Sequence, residues 1–202
     1  MQRKWFYFSP FYIFIFGCSF SDSAYKITRL PVNQQALRQI TDYSISGQVS
    51  YVGPENRKSM WMYFLKEGNT TTLRLVSLFG QTLAKVRIYP DISILDSYEG
   101  KRLKSEDPSR LIERMIGLAV PIKEMENWLL GLPNQAEHCS FNEDHTLAST
   151  GGVSILPTWS VTYRSYEKIR AREYTLLLPH ELLLNKGRHN IHLVIFRWRI
   201  EL

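Results

Sequence analysis

Short segments with strand patterning follow one another at tight intervals through the first half of the chain. Each is rich in β-branched, aromatic or alternating apolar residues, and the links between them contain Gly, Pro, Asn or Asp. Links this short leave no room for the long crossover that joins parallel strands, so neighbouring strands must run antiparallel. The sequence therefore predicts a meander whose strands are residues 45–52, 59–66, 70–79, 82–89 and 92–96.

In the middle of the chain the apolar period lengthens to three and four residues. Residues 108–117 and 122–130 are predicted to be helices that end at Gly117 and near Gly131, and a shorter amphipathic helix is predicted over residues 33–43. Strand patterns return at residues 136–142, 146–150, 158–164, 173–178 and 190–201. The predicted fold class is α+β, with a helical insertion between two sets of antiparallel strands.

One predicted strand, residues 59–66, is apolar on both faces. Its side chains alternate between one face with Trp61, Tyr63 and Leu65 and another with Met60, Met62 and Phe64. Something must therefore cover both sides of the sheet. A helix packed inside a curved sheet would do this, and so would an apolar cavity that holds a ligand; a well-filled core is the plainer alternative. The adaptable Met side chains suit either arrangement.

The N-terminal segment has the pattern of an export signal. A short basic stretch is followed by an uncharged apolar run over residues 5–18, which is short for a membrane-spanning helix and is interrupted by Pro10. The run ends in Ile-Phe-Gly-Cys, which resembles the bacterial lipobox, where the Cys is acylated and becomes the mature N-terminus. An ordinary signal sequence or an anchor with a buried Cys is the alternative. Residues 1–17 are therefore predicted to be a lipoprotein signal peptide, and Cys18 the lipidation site.

Removal of the signal peptide would change the charge and the thiol chemistry of the chain. The formal net charge of +6 would fall by two because two basic residues are lost. Lipidation would use the sulfur of Cys18, so no disulfide with Cys139 is predicted. Residues 18–30 would form the lipidated N-terminus and a tether. Ser19 follows the Cys at the position where Asp resembles an inner-membrane retention signal, which implies sorting to the outer membrane.

The sequence lacks the common catalytic and metal-binding motifs: Gly-x-Ser-x-Gly, the Walker loop, His-Glu-x-x-His and Cys-x-x-Cys. His189 and His192 are three apart in a predicted strand, so they point to opposite faces and cannot share a metal. Glu124 and Glu126 are expected to be solvated charges, and the basic run 168–172 a solvated hairpin loop. The charge is too small and scattered to indicate nucleic-acid binding. No enzyme activity, metal or cofactor is predicted.

An ordered set of motifs follows the predicted lipobox. They are Ser-Gly-Gln-Val at 46–49, Trp61, Leu-Arg-Leu-Val-Ser-Leu-Phe-Gly at 73–80, Met-Ile-Gly-Leu-Ala-Val-Pro at 115–121, Trp-Leu-Leu-Gly-Leu-Pro at 128–133 and Trp-Ser-Val-Thr-Tyr at 159–163. This order resembles the LolB family, the outer-membrane lipoprotein receptors of Gram-negative bacteria. The resemblance covers essentially the whole mature chain, so residues 31–202 are expected to form one LolB-like lipoprotein-binding domain.

The resemblance implies an unclosed antiparallel β-barrel of about 10 to 11 strands with helices lining or covering an apolar cavity. It implies that the protein takes the acyl chains of lipoproteins from a LolA-like periplasmic carrier and inserts the lipoproteins into the lipid of the outer membrane. The expected protein is a monomer, lipid-anchored at the periplasmic face of that membrane. Candidate residues for the cavity wall are Trp61, Met62, Phe64, Trp128 and Trp159.

The same resemblance assigns membrane insertion of the cargo to the turn at Leu78 and Phe79. The residues themselves point to the same turn, because two large apolar side chains stand at a hairpin tip where polar residues are usual. The alternative is that both fold back into the core. Two other functions stay open: a structural or general apolar-ligand-binding outer-membrane lipoprotein without insertion activity, and an enzyme acting on lipid or glycan.

Overall fold

The computed structural model describes residues 32–134, 137–152, 158–171 and 174–201. The predicted signal peptide, Cys18 and the tether lie outside the described residues. Within the described ranges, eleven strands form a single antiparallel sheet, and three helices contribute to the core that covers one of its faces. None of these described helices is long and apolar enough to cross a membrane.

One helix comes first, then a set of six strands, then two helices, and then a set of five strands. The helices are α1 (Val32–Leu37), α2 (Pro108–Ile116) and α3 (Ile122–Leu130). The strands before α2 are β1 (Asp42–Val52), β2 (Arg57–Glu67), β3 (Thr70–Ser77), β4 (Thr82–Ile88), β5 (Ser93–Ser97) and β6 (Arg102–Ser105). Those after α3 are β7 (Glu137–Phe141), β8 (Leu147–Gly152), β9 (Ser160–Ala171), β10 (Tyr174–Lys186) and β11 (His189–Glu201).

The strand order is β6-β5-β4-β3-β2-β1-β11-β10-β9-β8-β7, and each neighbouring pair is antiparallel. The two meanders therefore meet where β1 pairs with β11, and β6 and β7 are the two edges of an open sheet. This confirms the predicted fold class, an unclosed antiparallel sheet with helices.

The seam between the two meanders contains a bulge at Gly47. The register of β1 against β11 shifts between Ser46 and Gly47. A Cβ atom on Gly47 would lie 2.4 Å from the carbonyl oxygen of Val194, closer than real side chains approach. Gly is therefore required here by the close contact of two backbones, and the bulge bends the centre of the sheet.

The ends of α2 and α3 agree with the sequence prediction. The Asp107 side chain accepts a hydrogen bond from the backbone N–H of Ser109 at 2.9 Å, and the helix that follows ends at Gly117, which has a left-handed φ of 76°. Helix α3 ends in the same way at Gly131, with a φ of 71°. These caps hold two short helices that would not be stable alone.

The predicted first helix was too long. It was expected over residues 33–43, but α1 ends at Leu37 and Tyr43 lies in β1. The Tyr43 ring stacks on Phe64 with centroids 5.9 Å apart and lies 5.8 Å from the Trp198 ring. Packing against two neighbouring strands outweighs the local helical spacing.

The second strand set also runs further than predicted. Strands β9 and β10 continue to Ala171 and Lys186, and the basic residues Lys168 and Arg170 lie in β9 rather than in a solvated loop. Pro179 of β10 lies where the register of this strand against β9 shifts. Pro has no backbone N–H to donate to the neighbouring strand. At a bulge the regular hydrogen-bond pattern is interrupted, so the strand tolerates Pro there. The short strand β6 was not predicted.

Candidate functional site

An apolar cavity of about 60 Å³ lies between the sheet and the helices. Its walls come from three parts of the fold: the paired strands β1 to β3, the α2 and α3 region, and strands β10 and β11. The residues are Val49, Tyr51, Met60, Met62, Leu73, Leu75, Ile112, Val120, Ile122, Met125, Leu184, Ile191 and Leu193. The volume holds about two water molecules, but three flexible Met side chains form part of the wall and can rearrange.

A larger cavity of about 290 Å³ adjoins the first beneath α2, between the ends of β4 to β6. Met60 and Leu75 belong to the walls of both cavities, so the two spaces are neighbours across these side chains. Apolar residues such as Leu103 and Leu111 line the larger cavity, together with charged residues that include Lys58 and Arg114. Joined by a movement of Met60, the two spaces would reach the lower end of the range of ligand sites, about 300–1,000 Å³.

Tyrosine hydroxyls attach α3 to the sheet beside these cavities. Tyr43 donates to the backbone oxygen of Glu126 at 3.2 Å, and Tyr163 donates to that of Trp128 at 3.0 Å. Burial raises the pKa of Tyr43 well above its usual range, with the nearby Glu126 carboxylate adding to the effect. The Tyr43 phenol therefore stays a neutral donor, and the two hydrogen bonds fix α3 as one wall of the apolar space.

Strand alternation decides where three of the predicted wall residues lie. Met62 lines the smaller cavity. Phe64 is on the same face and is fully buried, but it packs on Tyr43 one step further along the strand, outside both walls. Trp61 lies on the opposite face, with its ring 6.0 Å from that of Phe196. The expectation that Trp61 lines the cavity is therefore corrected, because neighbouring residues of β2 point to opposite sides.

The two other predicted wall residues, Trp128 and Trp159, pack on one another. Their ring centroids are 6.5 Å apart, and both side chains are buried in the core beside the cavities rather than in the walls. Sequence reasoning missed wall residues that the period of two in β3 and the helical spacing in α3 could have indicated. The clearest examples are Leu73, Leu75, Ile122 and Met125.

The hairpin between β3 and β4 presents its apolar tip to solvent. Ser77 and Gln81 close the turn, with the Ser77 N–H donating to the Gln81 oxygen at 2.7 Å and the Gly80 N–H to the Ser77 oxygen at 3.0 Å. Leu78 is 52% exposed and Phe79 is 99% exposed. The alternative that both side chains fold back into the core is thus excluded. A closed turn holds Phe79 away from the body of the protein.

Several charged side chains near the cavities and on the sheet contact a partner of opposite charge or a hydroxyl group. Glu126, expected to be a solvated charge, instead forms an ion pair with Lys66, whose Nζ lies 2.8 Å from Oε2. His189 contacts the Tyr51 hydroxyl and His192 contacts Glu181, each at 2.8 Å. Within the described ranges, no three His, Cys, Asp or Glu residues gather to hold a metal ion. The half-buried thiol of Cys139 lies 3.4 Å from the Thr150 hydroxyl.

Comparison with protein-family models identifies the family of this chain. The family described as outer membrane lipoprotein LolB matches residues 41–198. The chain belongs to the LolB family. The outer-membrane lipoprotein LolB of Vibrio campbellii is 31% identical over 188 residues, which cover 93% of each chain. That of Vibrio cholerae is 31% identical over 168 residues, covering 83% of this chain and 82% of the relative.

A solved structure extends the LolB-family match to a wider fold. A LolA superfamily protein from Nitrosomonas europaea superposes with a TM-score of 0.52 at 6% identity, covering 85% of this chain and 94% of the other. At this identity the likeness concerns the fold alone. The open sheet with helices on one face is therefore common to this LolB-family protein and a LolA superfamily protein.

Proposed function

We propose that this LolB-family protein is an outer-membrane lipoprotein receptor. It accepts lipoproteins from a periplasmic carrier of the LolA type and inserts them into the outer membrane. Family membership supports the assignment, since the Vibrio relatives carry the name outer-membrane lipoprotein LolB. The carrier is proposed from the family resemblance and the shared fold with a LolA superfamily protein.

One structural relationship carries the proposal: the apolar cavity and the exposed hairpin tip are built on the same strand. Leu73 and Leu75 of β3 line the cavity, and the strand leads directly to Leu78 and Phe79. Leu75 and Phe79 are four positions apart in the chain, so their Cα atoms lie no more than roughly 14 Å apart. An acyl chain in the cavity would thus lie within one chain length of a side chain that can enter a bilayer.

Transfer by this route forms and breaks no covalent bond. It requires only that the affinity for acyl chains increases from the carrier to the receptor and from the receptor to the membrane. Each methylene that leaves water gains about 0.8 kcal/mol. The receptor must therefore shield acyl chains better than the carrier does and less well than the bilayer does. A narrow cavity that must move Met side chains to admit a chain offers such intermediate affinity, because opening it costs part of the gain.

The lipid anchor would keep the receptor beside its target membrane. We place acylation on Cys18, and residues 18–31 can span at most roughly 45 to 50 Å before the described domain begins. Several acyl chains at one site hold a protein firmly, whereas one chain gives only marginal binding. The tether would let the hairpin tip reach the bilayer in which its own anchor lies.

The test is a reconstituted transfer reaction with lipoprotein-loaded carrier, this protein and outer-membrane lipid vesicles. The proposal expects lipoprotein to move from carrier to receptor to vesicle, without return to the carrier. A structural lipoprotein would take no acyl chain and would not displace a fluorescent apolar probe. A general apolar-ligand-binding lipoprotein would bind the probe but leave the cargo out of the vesicles. Either outcome would overturn the receptor assignment.

A further inference from the structure

The outer face of the sheet, opposite the helices, carries an aromatic patch in the middle of strands that are otherwise polar there. Trp61, Tyr63 and Leu65 of β2 lie on this face, and Phe196 at the bulge of β11 is 54% exposed with its ring 6.0 Å from Trp61. The intervening strand β1 offers only small or polar side chains, such as Ser46, beside them. A cluster of large apolar groups exposed in this way marks an interaction surface.

Basic residues border the aromatic patch on both sides. The strand register places Lys85, Arg74 and Tyr63 side by side on β4, β3 and β2, and Arg197 continues the row on β11 beyond β1. The Arg74 guanidinium stacks on the Tyr63 ring, 4.4 Å from its centroid. Two residues further along β2 and β11, Leu65 and Arg199 lie on either side of β1 on the same face.

These basic side chains are exposed to solvent. Among the described residues, Arg74, Lys85, Arg197 and Arg199 form no ion pair. The nearest carboxylates along the rows belong to other partners. Asp96, opposite Lys85, binds Arg87 and Arg102, and Glu181, in the row of Trp61, binds His192. Arg74, Lys85 and Arg197 therefore face solvent without a paired carboxylate, whereas Arg199 shares a surface pocket with Asp42, Glu67 and Glu201.

The patch is also continuous with the hairpin tip. Trp61 pairs in register with Val76, and the turn that carries Phe79 begins two residues after Val76. Phe79 is three positions after Val76 in the chain, so the Cα atoms of these two residues lie no more than roughly 11 Å apart. A surface that includes both would present apolar groups along one side and one end of the sheet.

We infer that the outer face around Trp61, Tyr63 and Phe196 docks on a bilayer that contains anionic phospholipid. Indole and phenol rings suit the headgroup region because they combine an apolar body with a polar edge. Each basic side chain near an anionic bilayer contributes about 1 kcal/mol of attraction. Docking would tilt the strands toward the membrane and bring the hairpin tip to it. This inference shares one assumption with the proposed function, namely that a lipid anchor holds the protein at the membrane.

The test measures the depth of one labelled position in the mature lipidated protein reconstituted in vesicles. A Gln48→Cys variant, with Cys139→Ser, carries an environment-sensitive fluorophore beside Trp61 on the outer face. A label at Glu143→Cys, in the exposed turn between β7 and β8, is the control position. The vesicles contain phosphatidylethanolamine with or without phosphatidylglycerol, and no carrier or cargo is present. The result is therefore independent of lipoprotein transfer.

Docking predicts that the label at position 48 shifts to the blue and is quenched by brominated lipid only when phosphatidylglycerol is present. Raising the salt from about 0.1 to about 1 M should reverse the shift. The double variant Arg74→Gln with Arg197→Gln lacks two of the cations. It should lower the ratio of docked to undocked protein about 10- to 30-fold. Arg74→Lys with Arg197→Lys keeps the charge and should keep docking.

Control variants test whether docking depends on these particular residues or on the total charge and exposed apolar surface of the protein. Lys123→Gln with Arg110→Gln removes two exposed cations from the helices, and Phe141→Ser removes an exposed ring from β7. Both should dock normally, whereas Phe196→Ser should not.

A label at position 48 that stays in water on anionic vesicles overturns the inference, as does docking that the paired Gln variants leave unchanged. Shielding that appears only when soluble carrier is added would assign the patch to a protein partner instead. Flotation with the vesicles reports the anchor separately.

Discussion

Lys66 on β2 and Glu126 on α3 form an ion pair with 2.8 Å between Nζ and Oε2, in side chains that are only 18% and 23% exposed. The Thr71 hydroxyl donates a further hydrogen bond to Glu126. The pair lies at the end of β2 and β3 away from the hairpin tip. It therefore joins the helix that forms one cavity wall to two strands that form another.

Breaking this pair should loosen the helix on the sheet. Glu126→Gln leaves Lys66 half-buried without its counter-charge, and we expect a loss of about 1–2 kcal/mol in the free energy of unfolding, between the values for exposed and buried pairs. Urea denaturation measures the change. Lys66→Met with Glu126→Gln should recover part of the loss, giving a coupling of about 1 kcal/mol in a double-mutant cycle. A coupling near zero would mean that the tyrosine hydrogen bonds alone fix α3.

Asp96 should make stability depend on pH. Hydrogen bonds from Arg102 and Arg87, at 2.6 and 2.5 Å, lower the pKa of Asp96 below its ordinary value of 3.8. A depressed folded-state pKa stabilises the protein above the unfolded pKa, and this contribution is lost as the pH falls through the folded value. The difference in unfolding free energy between wild type and Asp96→Asn should be constant above about pH 5 and shrink below about pH 4.

The matched control for this titration is Asp91→Asn, on an exposed turn near β5. It removes one carboxylate of the same kind that forms no ion pair among the described residues, so it shows how much of the effect comes from the change in net charge alone. If Asp91→Asn and Asp96→Asn gave the same pH profile, the change in net charge rather than the Arg87 and Arg102 contacts would account for the effect.

The fold could be predicted from the sequence because its signals are local. Tight turns, capping residues and strand periods lie within a few residues of one another, as the ends of α2 and α3 at Gly117 and Gly131 illustrate. The predicted helix over residues 33–43 failed because the decisive contacts of Tyr43 are with Phe64 and Trp198, which are distant in the sequence. Propensity alone cannot weigh such contacts.

The candidate site was only partly predictable for the same reason. The apolar tip at Leu78 and Phe79 could be identified from its position in a turn, and the structure shows its exposure. The cavity walls combine β3, α3 and β11, whose adjacency depends on the whole sheet order. The side of β2 that faces them could not be chosen from a strand that is apolar on both faces, which is why Trp61 was misplaced.

Met60 should control access between the two cavities, since its side chain belongs to both walls. We expect Met60→Trp to fill the shared space and to reduce the affinity for a fluorescent apolar probe at least about tenfold, because the volume available to a ligand falls. Probe titration measures this. Met60→Leu conserves volume and should bind within a few-fold of wild type. Equal affinities for both variants would show that the probe binds elsewhere.

Overpacking by the Trp can also destabilise the protein by about 1–3 kcal/mol. Thermal unfolding of each variant therefore accompanies the titration. Leu103→Trp narrows the larger cavity alone and should lower probe affinity less than Met60→Trp if a ligand extends through both spaces. A larger loss with Leu103→Trp would place the ligand in the outer cavity only.

Phe79 should act after cargo binding, because its side chain is fully exposed at the tip and lies outside the cavity walls. We expect Phe79→Glu to bind acyl chains normally and to insert lipoprotein at least about tenfold more slowly, since burying a Phe ring gains about 1.5–3 kcal/mol and a carboxylate resists entry into a bilayer. Phe141→Glu, an exposed ring on the edge strand β7, is the matched control and should insert at the wild-type rate. The reconstituted transfer reaction, followed separately for receptor-bound and vesicle-bound lipoprotein, distinguishes the two steps. Normal insertion by Phe79→Glu would show that the hairpin tip has no part in delivery, and loss of cargo binding would show that the tip belongs to the acyl site instead.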